Sequence, residues 1–438
     1  MKGLRYIWEE LNASFWFIPV LMLLLAVVSA VGFIYLDSIV EYSPKGIWVY
    51  LLAESVESAR SILTIIAGAM IGVAGTVFSI TLVVLTLASS QLGSRIVRKF
   101  MYDRLNQIVL GSYVSSFVYC LIVLSSLTID ESQYFVPSFS VFAALLAAVA
   151  GIILLIVFIH HVSMSIQSDK VISDISDSMS KSIRILFPDE IGHEDKKPAP
   201  DVDALKKEYE LIDKVKCRKS GYLESVDGDG LVQIAEENDC IIILKHRPGD
   251  YLVKEMVLCE ILCKEQCDDD VHKKFHNYFI IGKVRTPLQD AEFSIHQLVE
   301  VASKALSPGV NDPYTAIACV DNLNSVMCYL TGVQFPSSYR YDSEGKLRII
   351  ADHHTFAGML NTAFNQIRQY AEGSPSVMIR LMEAMVNLNS FARTTHQKKQ
   401  IFEHAEMIMK AAERTFHESR DLEDIKKRYS ILTETKSN

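Results

Sequence analysis

The first 165 residues contain four long apolar runs whose central stretches have no Asp, Glu, Lys or Arg. A helix rises about 1.5 Å per residue, so roughly 20 apolar residues are needed to cross the hydrocarbon core of a bilayer. The pattern therefore predicts four transmembrane helices. Their predicted spans are Phe15–Leu36, Ile62–Ala88, Ile108–Leu127 and Phe139–Ile159.

After Ser165 the pattern changes to that of an amphipathic helix, which runs to Leu186 and is followed by a polar, proline-containing linker. A second short helix is predicted over Val202–Lys216. Short apolar runs separated by turns rich in Gly and Asp then predict a small β-barrel or sandwich module, with a hairpin turn at Asp227–Gly230. The predicted strands are Gly221–Leu223, Leu231–Ile234, Ile241–Leu244 and Met256–Leu258.

The rest of the chain has the periodicity of a helical bundle, and prolines after capping side chains mark two helix starts, at Pro313 and Pro375. The predicted helices are Gln289–Leu306, Pro313–Leu330, Thr355–Glu372, Pro375–Arg393 and His396–Arg428, with one strand near Leu347–Ala351. The predicted fold is a membrane α-helical domain with a cytoplasmic α+β domain. Its parts are a transmembrane domain 1–165, a connector 166–218, a β-rich module 219–284 and a mainly helical domain 285–438.

The distribution of charge changes this picture in two ways. The 438-residue chain has a formal net charge of −9, most of it after residue 165, which disfavours nucleic-acid binding. Basic residues concentrate in the second loop, at Arg95, Arg98, Lys99 and Arg104, and this predicts a cytoplasmic second loop. Both termini of a four-span protein would then be cytoplasmic, so the eight cysteines are expected to lack structural disulfides.

Small and hydroxyl residues recur along the second span at intervals of four, three, four, seven and four, which places them on one helix face. They are Gly68, Gly72, Gly75, Ser79, Thr86 and Ser90. In one interpretation the small residues allow close helix packing, as in GxxxG pairs. In the other, the stripe is repeated around an oligomer axis and lines a water-filled pore.

Two histidines, His160 and His161, end the fourth span. Histidine titrates near pH 6.5 and ligates metals, so a functional pair is one interpretation. The favoured one places both rings at the membrane interface, where they bond lipid headgroups or helix-end carbonyls.

A polar segment of the tail is the candidate cytoplasmic binding region. Its residues are Arg285, Gln289, Asp290, Glu292, Gln297, Glu300, Ser307, Asn311 and Asp312. The start of a helix offers free N–H groups to an anion, and carboxylates near it offer ligands to a cation. In the alternative interpretation these residues cap helices, satisfy turns and form contacts between subunits.

Patterns typical of metal sites and enzymes are weak in this chain. The cysteine and histidine group comprises Cys259, Cys263, Cys267, His272 and His276. It lacks the C-x₂-C pairs of structural zinc sites, so we expect core cysteines. Asp227 and Asp229 begin like a calcium loop, but Asn238 stands where its final acidic ligand belongs. No phosphate-binding loop, nucleophile elbow or HExxH motif occurs, so we predict no cofactor, metal or catalytic residue.

Four strings carry a resemblance that extends over nearly the whole chain. They are Ile66–Thr81, Ala88–Gln91, Phe158–His161 and Ala305–Pro313. At these positions the chain resembles a bacterial family of predicted membrane proteins, the domain of unknown function numbered 2254. The resemblance implies a membrane topology but no particular activity.

The sequence favours an oligomeric channel-like or transport-like protein of the bacterial inner membrane, with a cytoplasmic sensing or assembly domain. The expected partners are membrane lipid, further copies of the chain, and an ion or small ligand. A non-conducting membrane-anchored scaffold or sensor is the alternative, and a membrane enzyme is the third.

Overall fold

The computed structural model of the chain describes residues 15–40, 55–93, 103–130, 133–165, 167–187, 205, 209, 211–264, 274–286 and 289–437. The chain divides into two compact units, Met1–Lys170 and Val171–Asn438.

Four long helices dominate the first unit, and each is long and apolar enough to cross a membrane. They are α1 (Phe17–Ile39), α2 (Val56–Leu92), α3 (Arg104–Ser125) and α4 (Ser138–Ser165). Between α3 and α4, strands β1 (Thr128–Asp130) and β2 (Gln133–Phe135) form an antiparallel pair. The prediction of four apolar helices is confirmed, with α2 longer at both ends than the predicted second span.

Helix α3 packs against α1, α2 and α4 and so forms the centre of the first unit. Gly111 allows α1 and α3 to approach closely, because a Cβ there would lie 2.8 Å from Met22 Sδ. The phenol of Tyr113 donates to the Gly151 carbonyl of α4 at 2.5 Å. Each of the three neighbouring helices therefore packs against its own face of α3.

Eight strands among the described residues of the second unit form two sheets. The strands are β3 (Leu211–Lys216), β4 (Gly221–Val226), β5 (Ile241–Leu244), β6 (Tyr251–Leu252), β7 (Val257–Cys263), β8 (Phe279–Gly282), β9 (Tyr339–Tyr341) and β10 (Leu347–Ile350). One sheet has the order β3-β7-β5-β10-β9, in which β5 and β10 are parallel, and the other has the antiparallel order β6-β4-β8. No barrel closes among the described strands, so the α+β class is confirmed and the barrel shape is not.

Three predicted elements in and just before the β-rich module are wrong. The predicted hairpin turn at Asp227 is the start of helix α6 (Gly228–Glu237), where the Asp227 carboxylate accepts the Gly230 N–H at 3.2 Å. The helix places Leu231 and Ile234 in the core, so the three-residue spacing outweighs the apolar run that suggested a strand. Residues 211–216, predicted as a helix end, form β3 because they pair with β7.

Seven further helices occur among the described residues, and the first of them begins just before the second unit. They are α5 (Ser168–Leu186), α7 (Ala291–Ala305), α8 (Pro313–Gly332), α9 (Phe356–Tyr370), α10 (Pro375–Phe391), α11 (Thr395–Thr415) and α12 (Ser419–Ser437). The last predicted helix is in fact two, α11 and α12, with an extended backbone at Phe416. Neither Gly nor Pro marks this break, and α12 packs on both α10 and α11, where Arg428 pairs with Glu383 at 2.8 Å.

Candidate functional site

The stripe face, defined as Gly68, Gly72, Gly75, Ser79, Thr86 and Ser90 of α2, lies on the exposed side of that helix in the single chain. All six residues are exposed. The buried residues of α2 lie roughly on the opposite side of a 3.6-residue helix and pack toward α3 and α4. They include Ala59, Leu63, Met70, Ala74, Val77, Val84 and Ala88. The stripe face therefore takes no part in packing the chain's own transmembrane helices.

The three glycines of the stripe face border open space. A Cβ added at Gly68, Gly72 or Gly75 would have no atom within 4 Å outside its own helix neighbourhood. Two further exposed residues, Ser61 and Thr64, extend the stripe toward the start of α2. Sequence reasoning missed them, although Ser61, Thr64 and Gly68 have the same spacing of three and four as the rest.

The stripe hydroxyls donate to carbonyl groups of their own helix. Ser79 Oγ donates to Gly75 O at 2.9 Å, and Thr86 Oγ1 donates to Leu82 O at the same distance. Ser90 Oγ donates to Leu87 O at 2.9 Å. Each hydroxyl proton is thus satisfied without water, while the oxygen lone pairs stay available as acceptors.

Two apolar side chains interrupt the stripe face in its longest gap, between Ser79 and Thr86. Leu82 is 48% exposed and Val83 is 58% exposed, so both also point away from the chain's own bundle. Small and hydroxyl residues therefore flank an apolar segment of about one helical turn.

The histidines at the end of α4 have different environments. His160 is exposed, whereas His161 Nε2 lies 2.5 Å from Asp103 Oδ2. The other oxygen of Asp103 accepts the Leu105 N–H at the start of α3. His161 therefore joins α4 to the cap of α3. Residues 94–102, with three of the four basic residues of the second loop, lie outside the described residues.

Four of the predicted cytoplasmic residues meet at the start of α7, and we call them with their partners the α7 cluster. Arg285 forms two hydrogen bonds with Asp290, from Nε to Oδ2 at 2.7 Å and from Nη2 to Oδ1 at 2.9 Å. Asp290 is 2% exposed and also caps α7 by accepting the Phe293 N–H at 3.1 Å. Burial raises the pKa of Asp290 above its ordinary value, although the Arg285 charge acts to lower it.

A second ion pair completes the α7 cluster. Arg247 Nη2 donates to Glu292 Oε1 at 2.9 Å, and His354 Nδ1 lies 3.4 Å from the same oxygen. Burial acts to raise the pKa of Glu292, but these neighbours hold it below its ordinary value. Gln289 ties the cluster to β4, since its side chain accepts the Val226 N–H and donates to the Val226 carbonyl.

The guanidinium groups of Arg285 and Arg247 neutralise the carboxylates of Asp290 and Glu292. These ion pairs join α7 to the loops of the sheets. This arrangement favours the structural interpretation of Arg285, Gln289, Asp290 and Glu292 over a cation site. Gln297 and Glu300 lie half-buried farther along α7.

The remaining predicted residues, Ser307, Asn311 and Asp312, lie beyond the opposite end of α7, roughly 20 Å from its start at 1.5 Å per residue. They shape a turn in which Asn311 has a φ of 49° and its N–H donates to the Ser307 carbonyl at 2.9 Å. Asp312 caps α8 through the Thr315 N–H and hydroxyl, at 3.1 and 2.6 Å. The nine predicted cytoplasmic residues therefore do not form one site.

The described members of the cysteine and histidine group do not converge. Cys259 and Cys263 lie in the hydrophobic core around β7, and burial raises the pKa of the Cys259 thiol to about 12. Cys267 and His272 lie outside the described residues. Within the described part of the chain, no three His, Cys, Asp or Glu side chains are arranged to hold a metal ion.

Comparisons with known proteins agree with the membrane architecture. A family model described as "Predicted membrane protein (DUF2254)" matches residues 12–387. The chain is 29% identical over 373 residues to "Uncharacterized protein Rv1290c" of Mycobacterium tuberculosis, which covers 83% of this chain and 70% of that protein. "Uncharacterized protein Mb1321c" of Mycobacterium bovis matches with the same identity and coverage. No solved structure matches the chain.

Proposed function

We propose a function for this chain on the premise that it belongs to the family of predicted membrane proteins DUF2254. The proposed function is that of a homo-oligomeric channel-like protein of the bacterial inner membrane, in which the stripe faces of several copies surround a conduction pathway. The observation that carries this proposal is the outward position of the stripe face, opposite the side of α2 that packs within the chain.

Glycine on an exposed helix face can allow close packing between copies of the chain. Lipid tails are as apolar as leucine, so helices in membranes associate through close packing, which small residues permit. Gly68, Gly72 and Gly75 have no such neighbour within the chain. A second copy of α2 can occupy this open space, so the stripe supports self-association.

The chemistry of the stripe suits a pathway for cations. The oxygens of Ser79, Thr86 and Ser90 keep acceptor lone pairs after donating their protons to the helix backbone. Leu82 and Val83, in the gap of the stripe, would form an apolar ring around the same axis. Apolar constrictions gate channels by losing water, so this ring is the proposed gate.

Ion flux through the purified full-length chain in liposomes tests the proposal, with potassium, sodium and chloride gradients tried in turn. Ser79→Trp puts bulk on the stripe face, while Phe78→Trp is the matched control, since Phe78 is 46% exposed and points about 100° away. We expect cation flux that Ser79→Trp lowers about tenfold or more and Phe78→Trp preserves. No flux from inserted, oligomeric protein, or equal effects of both variants, would contradict the channel.

The second candidate is a non-conducting membrane-anchored scaffold or sensor. It is favoured by the internal hydrogen bonds of the stripe hydroxyls, because a stripe satisfied in this way needs no water. Cysteines at Gly75, Ser79 or Thr86 distinguish the candidates. A membrane-impermeant thiol reagent should modify them in a channel and leave them unmodified in a packed scaffold, with the unsubstituted chain giving the background.

A further inference from the structure

An elongated cavity lies among three helices of the first unit. It has a volume of about 330 Å³ and is bounded by α1, α3 and α4, without any residue of α2. Along α1 it extends from Met22 to Phe33, which at 1.5 Å per residue is roughly 16 Å. A void of this length and volume is long and narrow.

Small side chains make up most of the cavity wall, beside the larger Met22, Phe33, Tyr119 and Leu154. Ala26 on α1 and Ala147 and Ala150 on α4 line it, and no Asp, Glu, Lys or Arg does. Protein interiors are normally packed without voids of this size, whereas ligand pockets begin at about 300 Å³ and are mostly apolar. The cavity therefore has the size and lining of a small ligand site.

One buried hydroxyl in the wall has no partner. Ser115 is 7% exposed, lines the cavity, and its Oγ makes no hydrogen bond to any described residue. By contrast, Ser112, three residues earlier on α3, donates to the Ile108 carbonyl at 2.7 Å. An unpaired hydroxyl in an apolar setting is destabilising, and a ligand oxygen placed in the cavity would relieve this.

The cavity is open toward the surface that faces hydrocarbon. Two of its lining residues, Phe33 and Ala150, are exposed. A molecule dissolved in the membrane can therefore reach Ser115 without crossing water.

We propose that this cavity binds an uncharged lipophilic chain carrying one hydrogen-bonding oxygen, with the Ser115 hydroxyl donating to that oxygen. The apolar part of the wall takes the hydrocarbon. Ser29, Ser112 and Tyr119 also line the cavity but donate to backbone carbonyls, so the unpaired Ser115 hydroxyl fixes the position of the ligand oxygen. The site is independent of the proposed channel, because it involves neither α2 nor a second copy of the chain.

Competition against a photoactivatable long-chain alcohol tests the site in the full-length chain reconstituted in lipid nanodiscs. The competitors are 1-dodecanol and n-dodecane, which share a chain length and differ in the oxygen. We expect saturable labelling that maps to α1, α3 and α4, with dodecanol competing about tenfold better than dodecane. Labelling that does not saturate, or that maps equally to the outer face of α2, would mean annular contact and overturn the proposal.

Two variants, each lacking one hydroxyl oxygen, test whether the Ser115 hydroxyl donates to the ligand. Ser115→Ala should abolish the advantage of dodecanol over dodecane, while Ser112→Ala, whose hydroxyl bonds its own helix, should preserve it. Ala147→Phe should fill the cavity and abolish the saturable labelling altogether. If Ala147→Phe does not fold, the comparison of Ser115→Ala with Ser112→Ala still tests the site. Equal competition profiles in the two serine variants would overturn the role of Ser115.

Discussion

At the scale of single residues, Asp37 shows how one side chain can join two helices that are distant in the sequence. It lies at the end of α1, and its carboxylate accepts the N–H groups of Phe139 and Ser140 at 2.9 and 3.0 Å, and the Ser140 hydroxyl at 2.6 Å. These N–H groups lie at the start of α4, and the first N–H groups of a helix need acceptors from outside it. A side chain 102 positions away therefore caps α4.

Gly249 occupies a position that only glycine fits. Its φ is 102°, and a Cβ there would lie 2.6 Å from Asp290 Oδ2 in the α7 cluster. We expect Gly249→Ala to lower the free energy of unfolding by about 1 to 3 kcal/mol, through backbone strain and the clash. Gly309→Ala is the control: nothing lies within 4 Å of its Cβ, so its effect should stay within about 0.5 kcal/mol. Denaturant unfolding of both variants measures this, and equal effects would contradict it.

His404 should make stability depend on pH. It is 3% exposed, lies 2.9 Å from Asn361 Oδ1, and burial, aided by the Arg368 charge, lowers its pKa to about 4. Its unfolded pKa is about 6.5, so between these values the unfolded chain binds a proton that the folded chain does not. The free energy of unfolding should therefore fall by up to about 3 kcal/mol as pH falls from 6.5 to 4.

Thermal unfolding of the detergent-solubilised chain between pH 7 and 4.5 measures this loss. His404→Gln keeps a hydrogen-bonding side chain but does not titrate, so its melting temperature should fall less steeply with pH. Parallel losses in both proteins would assign the effect to other groups.

At the scale of elements, α2 is a helix with two unlike faces. Its buried face packs within the chain, and its stripe face is exposed along the whole helix. The neighbouring residues Ala74 and Gly72 belong to different faces, so substitutions at these two positions separate the stability of the chain from its association.

Leucine at each position should have a different consequence. Ala74 is 4% exposed, so Ala74→Leu should overpack the interior and cost about 1 to 3 kcal/mol of stability. A Cβ added at Gly72 has nothing within 4 Å, so Gly72→Leu should leave the melting temperature unchanged and lower the oligomer mass measured by light scattering in detergent. An oligomer that survives Gly72→Leu unchanged would count against association through the stripe face.

At the scale of the whole molecule, the second unit combines strands and helices that lie far apart in the sequence. The five-stranded sheet takes β3, β5 and β7 from residues before 264 and β9 and β10 from residues after 338. The α7 cluster then ties the helices to the sheet loops through two ion pairs. The predicted boundary between 284 and 285 stays a prediction, and the described sheet crosses it.

Burial in the two units should protect most of the cysteines. Six of the eight, namely Cys120, Cys217, Cys240, Cys259, Cys263 and Cys319, are buried. We expect a thiol reagent to modify at most two cysteines of the folded chain, Cys328 and Cys267, and all eight after denaturation, as counted by mass spectrometry. Rapid modification of Cys259 in the folded chain would show that the core opens.

The sequence by itself determined the features that depend on local physics. A long apolar run is stable in hydrocarbon only as a helix that satisfies its own backbone, so α1 to α4 could be predicted from composition and length. The starts of α8 and α10 followed from the prolines after Asp312 and Ser374, because proline is favoured in the first helical turn. Asp312 caps α8 as expected, whereas the Ser374 side chain makes no capping hydrogen bond with α10.

The tertiary structure alone decided the features that depend on a distant partner. Residues 211–216 became a strand because β7 pairs with them, and Leu231–Ile234 became helical because the sheet offered a surface to one side of α6. The periodicity of α2 placed the stripe residues on one face, but the positions of α3 and α4 decided that this face is exposed. Pairing and packing join residues far apart in the chain, so their outcome is set by the fold and not by local pattern.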